Sequence, residues 1–367
     1  MQGQPERRHP FRHHCLALLL SLGGLPLFPW ILRTGASHGQ GPGGSRRGLG
    51  SVFEGFARVW TPLAASAALK KAPLGFTLAG EKIVLFRDIS GAPAALLDRC
   101  PHRGVALSLG QVMPNGCLEC PFHGWQFDSR GANQHIPFNP QARKETLGAT
   151  PLPVREIGEL IWVYTAPGLE APTEPSPPEG LTDPNLARTI VERRWNCHWT
   201  RAMENMLDSP HLPFVHRKTI GKFTRRYMTP DSTMTVTWDE TEFGGLTRSL
   251  VDGRDGGGRL EFHKPNIMAL HIPIPNRHLR IHALVIPVDD HQTRLLVVGS
   301  RDFLKFGWAQ GLFAANTARI ADEDRAVVES SWPSEVPPIA QEHSVATDRA
   351  TLAFRKYYFE TLKPSAV

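Results

Sequence analysis

Two short stretches of the chain place two cysteines and two histidines where they could bind iron. The first holds Cys100 and His102 with one residue between them, and the second holds Cys120 and His123 with two residues between them. Each stretch offers one thiolate and one imidazole. The four side chains could therefore hold the two irons of a [2Fe–2S] cluster, one iron on two sulfurs and the other on two nitrogens. The alternative is a tetrahedral zinc site, which the same four residue types also suit.

The spacing and the flanking residues favour the cluster over zinc. One residue between a cysteine and a histidine is tighter than the spacing of two to four that is usual for zinc ligands. The two stretches resemble the cluster-binding loops of Rieske proteins, which share the flanking residues Pro101, Gly104, Pro121, Gly124 and Trp125. The resemblance implies that Cys100, His102, Cys120 and His123 bind the cluster. Neutral histidine ligands raise its reduction potential to roughly −150 to +300 mV, from about −400 mV with four thiolates.

Rieske proteins of the respiratory complexes carry one further cysteine in each loop, and those two cysteines form a disulfide. Here Val105 and Phe122 stand at the matching positions, and Cys117 lies at a different offset. The missing pair moves the resemblance toward the Rieske oxygenases and their ferredoxins. A ferredoxin would end after roughly a hundred residues, whereas this chain continues far enough for a second domain.

The second part of the chain offers two more histidines. Asn205, Asp208 and His211 are spaced by three, which predicts that they share one stripe of a helix. His216 follows His211 by five, a spacing that would turn its side chain about 140° away on an unbroken helix. Two prolines in this segment predict a break, and a kink could return His216 to share a metal with His211.

A carboxylate would complete the 2-His-1-carboxylate triad of non-haem Fe(II) oxygenases, which leaves positions open for dioxygen and substrate. Apolar residues at 320, 327 and 328 predict a late helix with one buried stripe, and an acidic run lies inside it. In the Rieske oxygenases that this chain resembles, the ligand is the aspartate before a basic residue. Asp324 before Arg325 fits, and Asp322 and Glu323 are the fallback candidates.

From about Phe53 to its end, the chain resembles the oxygenase component of a Rieske non-haem iron oxygenase, nearest the vanillate and dicamba O-demethylase branch. The resemblance implies a homotrimer that receives electrons from NAD(P)H through a partner reductase, with or without a ferredoxin. It also implies that His123 of one chain meets Asp208 of its neighbour, that Asp208 contacts His211, and that Asn205 lies near a mononuclear Fe(II).

Three functions remain open on the sequence. The favoured one is monooxygenation, meaning hydroxylation or oxidative demethylation of an aromatic or other ring-containing small molecule. The second is cis-dihydroxylation of an aromatic ring. The third, from another class, is a Rieske electron carrier without catalysis of its own.

Charge argues against a nucleic-acid partner. The 367 residues carry a net charge of +6. Six arginines against Glu6 give residues 1–50 a charge of +5, so the remainder is close to neutral. A near-neutral body has no basic face for a phosphate backbone.

Residues 1–50 form a basic and apolar leader. An almost wholly apolar run from Cys15 to Leu32 follows Arg7 and Arg8, the outline of a signal peptide. Three interpretations stay open: a dispensable or non-native extension, an export signal, or a membrane anchor. Three of the five cysteines lie in or beside the cluster stretches, a usage that favours the cytoplasm over a disulfide-rich secreted fold.

The predicted fold class is α+β. We expect an all-β Rieske domain over 51–166, a Pro-rich connection over 167–185, and a catalytic domain of the helix-grip type over 186–367. In it a curved antiparallel sheet is covered by helices. Predicted strands lie at 83–86, 94–97, 160–164, 233–238, 279–286 and 294–300, and predicted helices at 313–330 and 348–361. The alternating His278, Arg280 and His282 could line a substrate cavity or meet solvent.

Overall fold

The computed structural model describes residues 53–364, so the predicted leader lies outside the described residues. Every helix within the described part is too short or too polar to cross a membrane.

The first half of the described chain is built from three small antiparallel sheets. Two sheets have the strand orders β1-β11-β10 and β2-β3-β4-β9. The third has the order β5-β6-β7-β8, and its β6–β7 connection carries Cys120. The strands are β1 Trp60–Ala65, β2 Leu74–Leu78, β3 Glu81–Arg87, β4 Pro93–Leu97, β5 Gln111–Val112, β6 Leu118–Glu119, β7 Gln126–Phe127, β8 Asn133–His135, β9 Pro151–Leu152, β10 Val154–Ile157 and β11 Leu160–Tyr164.

The second half is organised around one eight-stranded antiparallel sheet. Its strands are β12 Ala187–Trp195, β13 Met234–Thr241, β14 Gly244–Val251, β15 Arg254–Asp255, β16 Arg259–His263, β17 Ile267–His271, β18 Leu279–Pro287 and β19 Thr293–Arg301. They lie in the order β12-β19-β18-β17-β16-β14-β13, with β15 paired to β14. Strands β18 and β19 are buried along nearly their whole length, as the centre of a sheet covered on both faces must be.

Six α-helices are present in the described range. They are α1 Glu179–Thr182, α2 Trp199–Leu207, α3 Leu212–Val215, α4 Lys222–Tyr227, α5 Gly307–Glu329 and α6 Arg349–Tyr357, which continues as a π-helix over Tyr358–Leu362. The predicted all-β domain followed by an antiparallel sheet with helices is confirmed, and each predicted strand lies in or overlaps an observed one. Helix α5 begins six residues before its predicted start. The prediction started too late because Gly307 and Gly311 lower the helix propensity of its first turns. The predicted domain boundaries themselves stay a prediction.

The two faces of the large sheet pack against different partners. Side chains directly opposite each other on paired strands point to the same face. On one face, Arg193 pairs with Asp322 of α5 at 2.9 Å, and we call this the helix face. On the other face, Arg188 pairs with Glu159 of the first half at 2.8 Å, and we call this the domain face.

His278, Arg280 and His282 lie on the domain face. His278 and Arg280 are half-buried and His282 is buried, so the solvent interpretation holds in part for the first two, and the cavity interpretation stays a prediction. Arg280 pairs with Glu179 of α1, and a Cβ added at Gly180 would lie 2.7 Å from the His282 ring. His282 is therefore buried under α1, and burial lowers its pKa to about 3. Alternating polar and apolar residues in one strand do not reveal whether a second layer also covers the polar face of the sheet, as helix α1 does here.

A buried ion-pair network fixes helix α2 against the C-terminal segment. Glu204 of α2 pairs with Arg201 at 3.2 Å and with Arg355 of α6, while Glu342 pairs with Arg201 at 2.7 Å and with Arg355 at 2.5 Å. Each charge thus faces two opposite charges. The network holds the helix end that leads into Asn205 and Asp208.

Glu204→Ala would leave two buried arginines short of a carboxylate. Removing one partner of a buried pair costs about 3–5 kcal/mol, and chemical denaturation should show a loss of that size. Glu179→Ala is the matched control, because its side chain is 78% exposed and the loss should be about 1 kcal/mol or less. Equal losses in the two variants would mean that the network does not stabilise α2.

Candidate metal centres

The two cysteine-containing loops have the same backbone structure. In each, the cysteine carbonyl accepts a hydrogen bond from the glycine four residues later: Gly104 to Cys100 at 2.8 Å and Gly124 to Cys120 at 3.1 Å. Both glycines have positive φ, 72° and 69°, a conformation that residues with a Cβ rarely adopt. The motif glycines therefore close each loop so that its cysteine and histidine point the same way.

The loops bring the four predicted cluster ligands together. Cys100 and Cys120 are buried, whereas His123 is exposed and His102 partly so. The two imidazole rings lie 4.6 Å apart, and the Trp125 ring stacks on His102 at 4.7 Å. The sulfur side of the site thus faces the protein and the nitrogen side faces the surface.

The chemistry of this site fits an iron–sulfur cluster. Burial raises the pKa of Cys100 to about 11, with the neighbouring Cys120 adding to the rise, so thiolates here need a compensating cation. His102 Nδ1 is buried without a hydrogen-bond partner, as expected for an atom that binds a metal. Desolvation and the nearby His123 lower the pKa of His102, which favours the neutral imidazole that iron binds.

Cys117 and Cys120 offer a matched test of the cluster ligands. Both are buried free cysteines, but only Cys120 is a predicted ligand. Cys120→Ser should abolish the visible absorption and acid-labile sulfide of the cluster, while Cys117→Ser should retain both. Loss of the cluster in both variants, or in neither, would contradict the assignment.

The predicted single stripe of Asn205, Asp208 and His211 on one helix was wrong. Helix α2 ends at Leu207, and Asp208 has extended backbone with φ −80° and ψ 135°. His211 starts a separate short helix, α3, and Pro210 between the two helices disfavours a continuous one. Asp208 still meets His211, because its carboxylate accepts from the backbone N–H of His211 at 2.9 Å and lies 3.0 Å from Nδ1.

The predicted break before His216 is confirmed, and it returns this residue to His211. Helix α3 is a single turn with Pro213 in its first half, and His216 ends it. The two rings lie 5.2 Å apart. A longer, straight helix would have separated them.

Asp324 of α5 meets both histidines. Its Oδ1 atom lies 3.0 Å from His216 Nε2 and 3.6 Å from His211 Nε2, and one ligand atom from each of the three residues falls within 4.8 Å of the others. Asp322 instead pairs with Arg193, and Glu323 contacts the far side of His216. Of the three acidic candidates, the structure therefore brings only Asp324 between the histidines.

The buried stripe of α5 differs from the predicted one. It comprises Ala309, Thr317, Ala321, Asp324 and Val328, whereas Val327 is 52% exposed and Ile320 is only half-buried. Asp324 is thus on the buried face of its helix. A prediction based on apolar residues alone misplaced the buried stripe, because one position of that stripe is occupied by the carboxylate of Asp324.

A divalent cation fits these three side chains. Burial alone would lower the pKa of His216, but Asp324 and then Glu323 outweigh it, so its pKa is raised. The site therefore favours positive charge at the ring. Asp324 Oδ1 is buried and has no well-formed hydrogen bond, and Asn205 Nδ2 is likewise buried without a partner. Two imidazoles and one carboxylate are the donor set of mononuclear non-haem iron.

Sequence reasoning missed two contacts of this site. Glu323 lies 3.0 Å from His216 Nδ1, and the Ser249 hydroxyl on the helix face of the sheet donates to the Ser209 hydroxyl at 2.7 Å. An acid next to a proposed acidic ligand was the only available signal for the first contact. The second joins residues from distant segments, and no local pattern announces it.

Asp324→Ala should remove the mononuclear metal and leave the cluster. The cluster loops make no contact with this triad in the described chain, so the visible spectrum and the sulfide content should stay unchanged while iron falls by one per chain. Asp322→Asn, an exposed acid two residues away, should keep all the iron. Unchanged iron in Asp324→Ala would contradict the proposed triad.

Comparisons with known proteins agree with both halves of the fold. A family model described as the Rieske [2Fe–2S] domain matches residues 59–154, and one described as the vanillate O-demethylase oxygenase C-terminal domain matches residues 195–363. The methylxanthine N3-demethylase NdmB of Pseudomonas putida is 30% identical over 321 residues, which cover 80% of this chain and 84% of that protein.

Two further similarities are narrower. Chlorophyllide a oxygenase of Chlamydomonas reinhardtii is 39% identical over 192 residues, but the match spans 50% of this chain and 28% of that protein. A dicamba monooxygenase solved with dicamba bound has the same fold, with a TM-score of 0.72 and 23% identity over 86% of this chain and 99% of that one.

The chain belongs to the Rieske non-haem iron oxygenases, as an oxygenase component with a C-terminal domain of the vanillate O-demethylase type. It is thus an oxidoreductase. Its family uses a [2Fe–2S] cluster, a mononuclear iron, and electrons supplied by a reductase.

Proposed function

We propose that the protein is a terminal oxygenase that oxidatively demethylates a neutral, ring-containing small molecule. Cys100, His102, Cys120 and His123 would hold the [2Fe–2S] cluster, and His211, His216 and Asp324 would hold the mononuclear Fe(II). The observation that carries this proposal is the convergence of the last three side chains within 4.8 Å. A pure electron carrier has no use for a second metal site. When bound, the mononuclear iron supplies the position at which dioxygen is activated for attack on the substrate.

The helix face of the sheet supports a ring substrate. One row of opposed side chains crosses this face: Thr189, Gly299, Ile281, Leu270, Leu260 and Thr247. Ile281, Leu270 and Leu260 are only half-buried, and Ser249, two residues beyond Thr247, reaches Ser209 beside the histidine segment. An apolar, partly open row near the triad suits the flat face of a ring.

The same face favours a neutral substrate over a carboxylate. Its arginines on β12 and β19 are both engaged: Arg193 pairs with Asp322, and Arg301 donates to Thr189 at 2.9 Å and to Gln310 at 3.0 Å. A substrate carboxylate entering here would lose water and gain no free cation from these two arginines, which is costly. Methylated purines and methoxylated neutral aromatics are therefore the first compounds to test.

Demethylation has a product that separates it from the alternatives. Monooxygenation of an O- or N-methyl group consumes one O2, one NAD(P)H and one proton, and releases the demethylated product, one formaldehyde, one water and NAD(P)+. With a partner reductase, we expect formaldehyde equal to the NAD(P)H oxidised. A cis-diol without formaldehyde would support ring dihydroxylation, and electron transfer without substrate-dependent O2 uptake would support the carrier.

We also propose that the active form is a homotrimer in which electrons cross from the cluster of one chain to the mononuclear iron of its neighbour, through a contact between His123 and Asp208. Within the described part of one chain, no hydrogen bond joins His123 to Asp208, and the exposed position of His123 leaves it free to meet a second copy. Phe122 beside it is 59% exposed, as is expected at an interface. Asp208 holds His211 through two contacts and would link the two centres.

Asp208→Asn should keep both metal sites and lose turnover. The amide still accepts a hydrogen bond but no longer supplies the charge that orients His211 and attracts a neighbouring imidazole. Iron and sulfide should stay at the wild-type level while substrate-dependent NAD(P)H oxidation falls by about 10–100-fold. Asp322→Asn serves as the charge-matched control. Full activity in Asp208→Asn would remove the bridge from the proposal.

The partners and location follow from the same chemistry. A reductase, with or without a ferredoxin, would deliver electrons to the exposed histidine side of the cluster. We propose a cytoplasmic location, which the four free cysteines of the described chain and the need for NAD(P)H support.

A further inference from the structure

The ring of His216 is held between two consecutive residues of helix α5. Asp324 Oδ1 lies 3.0 Å from Nε2 on one side of the ring, and Glu323 Oε2 lies 3.0 Å from Nδ1 on the other. The Glu323 carboxylate accepts from Nδ1–H, which leaves Nε2, the nitrogen that faces Asp324, to bind a metal. One rigid helix thus supplies both the carboxylate of the triad and a second carboxylate behind a triad histidine.

Glu323 is itself fixed in place. Its Oε2 atom accepts from the Thr219 hydroxyl at 2.5 Å, and Arg319 lies 3.7 Å from Oε1 one turn earlier on α5. Thr219 follows His216 in the loop after α3, and its backbone N–H donates to the His216 carbonyl at 2.9 Å. The Glu323 carboxylate therefore links helix α5, which carries Asp324, to the loop that carries His216 and Thr219.

We propose that Glu323, braced by Thr219, is a positioning residue that sets the orientation and tautomer of His216 for metal binding. The inference rests on the proposed mononuclear site. It assigns the two triad histidines different supports, because Asp208 holds His211 from its own segment whereas Glu323 holds His216 from α5. Hydrogen bonds behind metal-binding histidines raise their basicity and fix their geometry, and losing one weakens metal binding by about 10–100-fold.

The test measures metal affinity, not turnover. The full chain with its cluster intact is stripped of the mononuclear metal by a chelator and titrated with Co(II) by equilibrium dialysis. The EPR signal of high-spin Co(II), recorded with the cluster oxidised and diamagnetic, reports the ligand geometry. We expect Glu323→Ala to raise the Co(II) dissociation constant by about 10–100-fold and to change this signal. Glu323→Gln keeps an acceptor for Nδ1, so it should lose less.

Two controls separate positioning from other causes. Asp322→Asn removes the same charge from the adjacent position of α5, where the acid pairs with Arg193, and should leave the dissociation constant unchanged. Thr219→Val keeps the Glu323 carboxylate but removes the hydroxyl that donates to it, and this variant replaces Glu323→Ala as the test if Glu323→Ala does not fold. Its expected effect is a measurable weakening of Co(II) binding.

Each outcome decides the inference. Unchanged Co(II) affinity and EPR signal in Glu323→Ala, or in Thr219→Val if that variant alone folds, would overturn it. A loss of Co(II) affinity in Asp322→Asn as large as that in Glu323→Ala would also overturn it, since general electrostatics would then explain both. If the wild-type chain binds no Co(II) at this site and His216→Ala behaves identically, the proposed metal site fails instead.

Discussion

The buried carboxylate of Asp324 imposes the main constraint on the catalytic domain. An ionised carboxylate removed from water must be paired or must bind a metal. Here its neighbours are two imidazoles from a distant segment, at 3.0 and 3.6 Å from one oxygen. A divalent cation bound between the three side chains would balance this charge. The rest of the domain can be understood as the means of bringing these two segments together: the sheet sets the position of α5, and the ion-pair network around Glu204 sets the position of α2.

The two candidate metal centres share histidine ligands but place them differently. At the cluster loops the cysteines are buried and the histidines face outward, so electrons can enter and leave through the imidazoles. At the triad, His216 and Asp324 are buried, and half-buried apolar side chains of the sheet lie on the same side as the helices. The first arrangement suits exchange with other proteins, and the second suits a small substrate. Both depend on a residue that interrupts regular backbone structure: a glycine with positive φ in each cluster loop, and a proline between helices α2 and α3.

Spacing made the local parts of these sites predictable. The glycines, prolines and short intervals around Cys100 and Cys120 specify tight loops because each bond in them is made within five residues. The break before His216 was predictable for the same reason. Spacing did not reveal that Asp208 leaves the helix, that Val327 faces outward, or that His282 lies beneath α1. Those outcomes depend on what packs against each element, and the contact of Glu323 with His216 depends on two segments about a hundred residues apart.

The central claim is that one chain holds a cluster and a separate mononuclear iron. Iron and acid-labile sulfide per chain, measured on anaerobically purified full-length protein, test it most directly. The account predicts three irons and two sulfides. Two irons and two sulfides that persist after anaerobic reconstitution with Fe(II) would contradict the mononuclear site and leave an electron carrier. Zinc without sulfide would contradict the cluster itself.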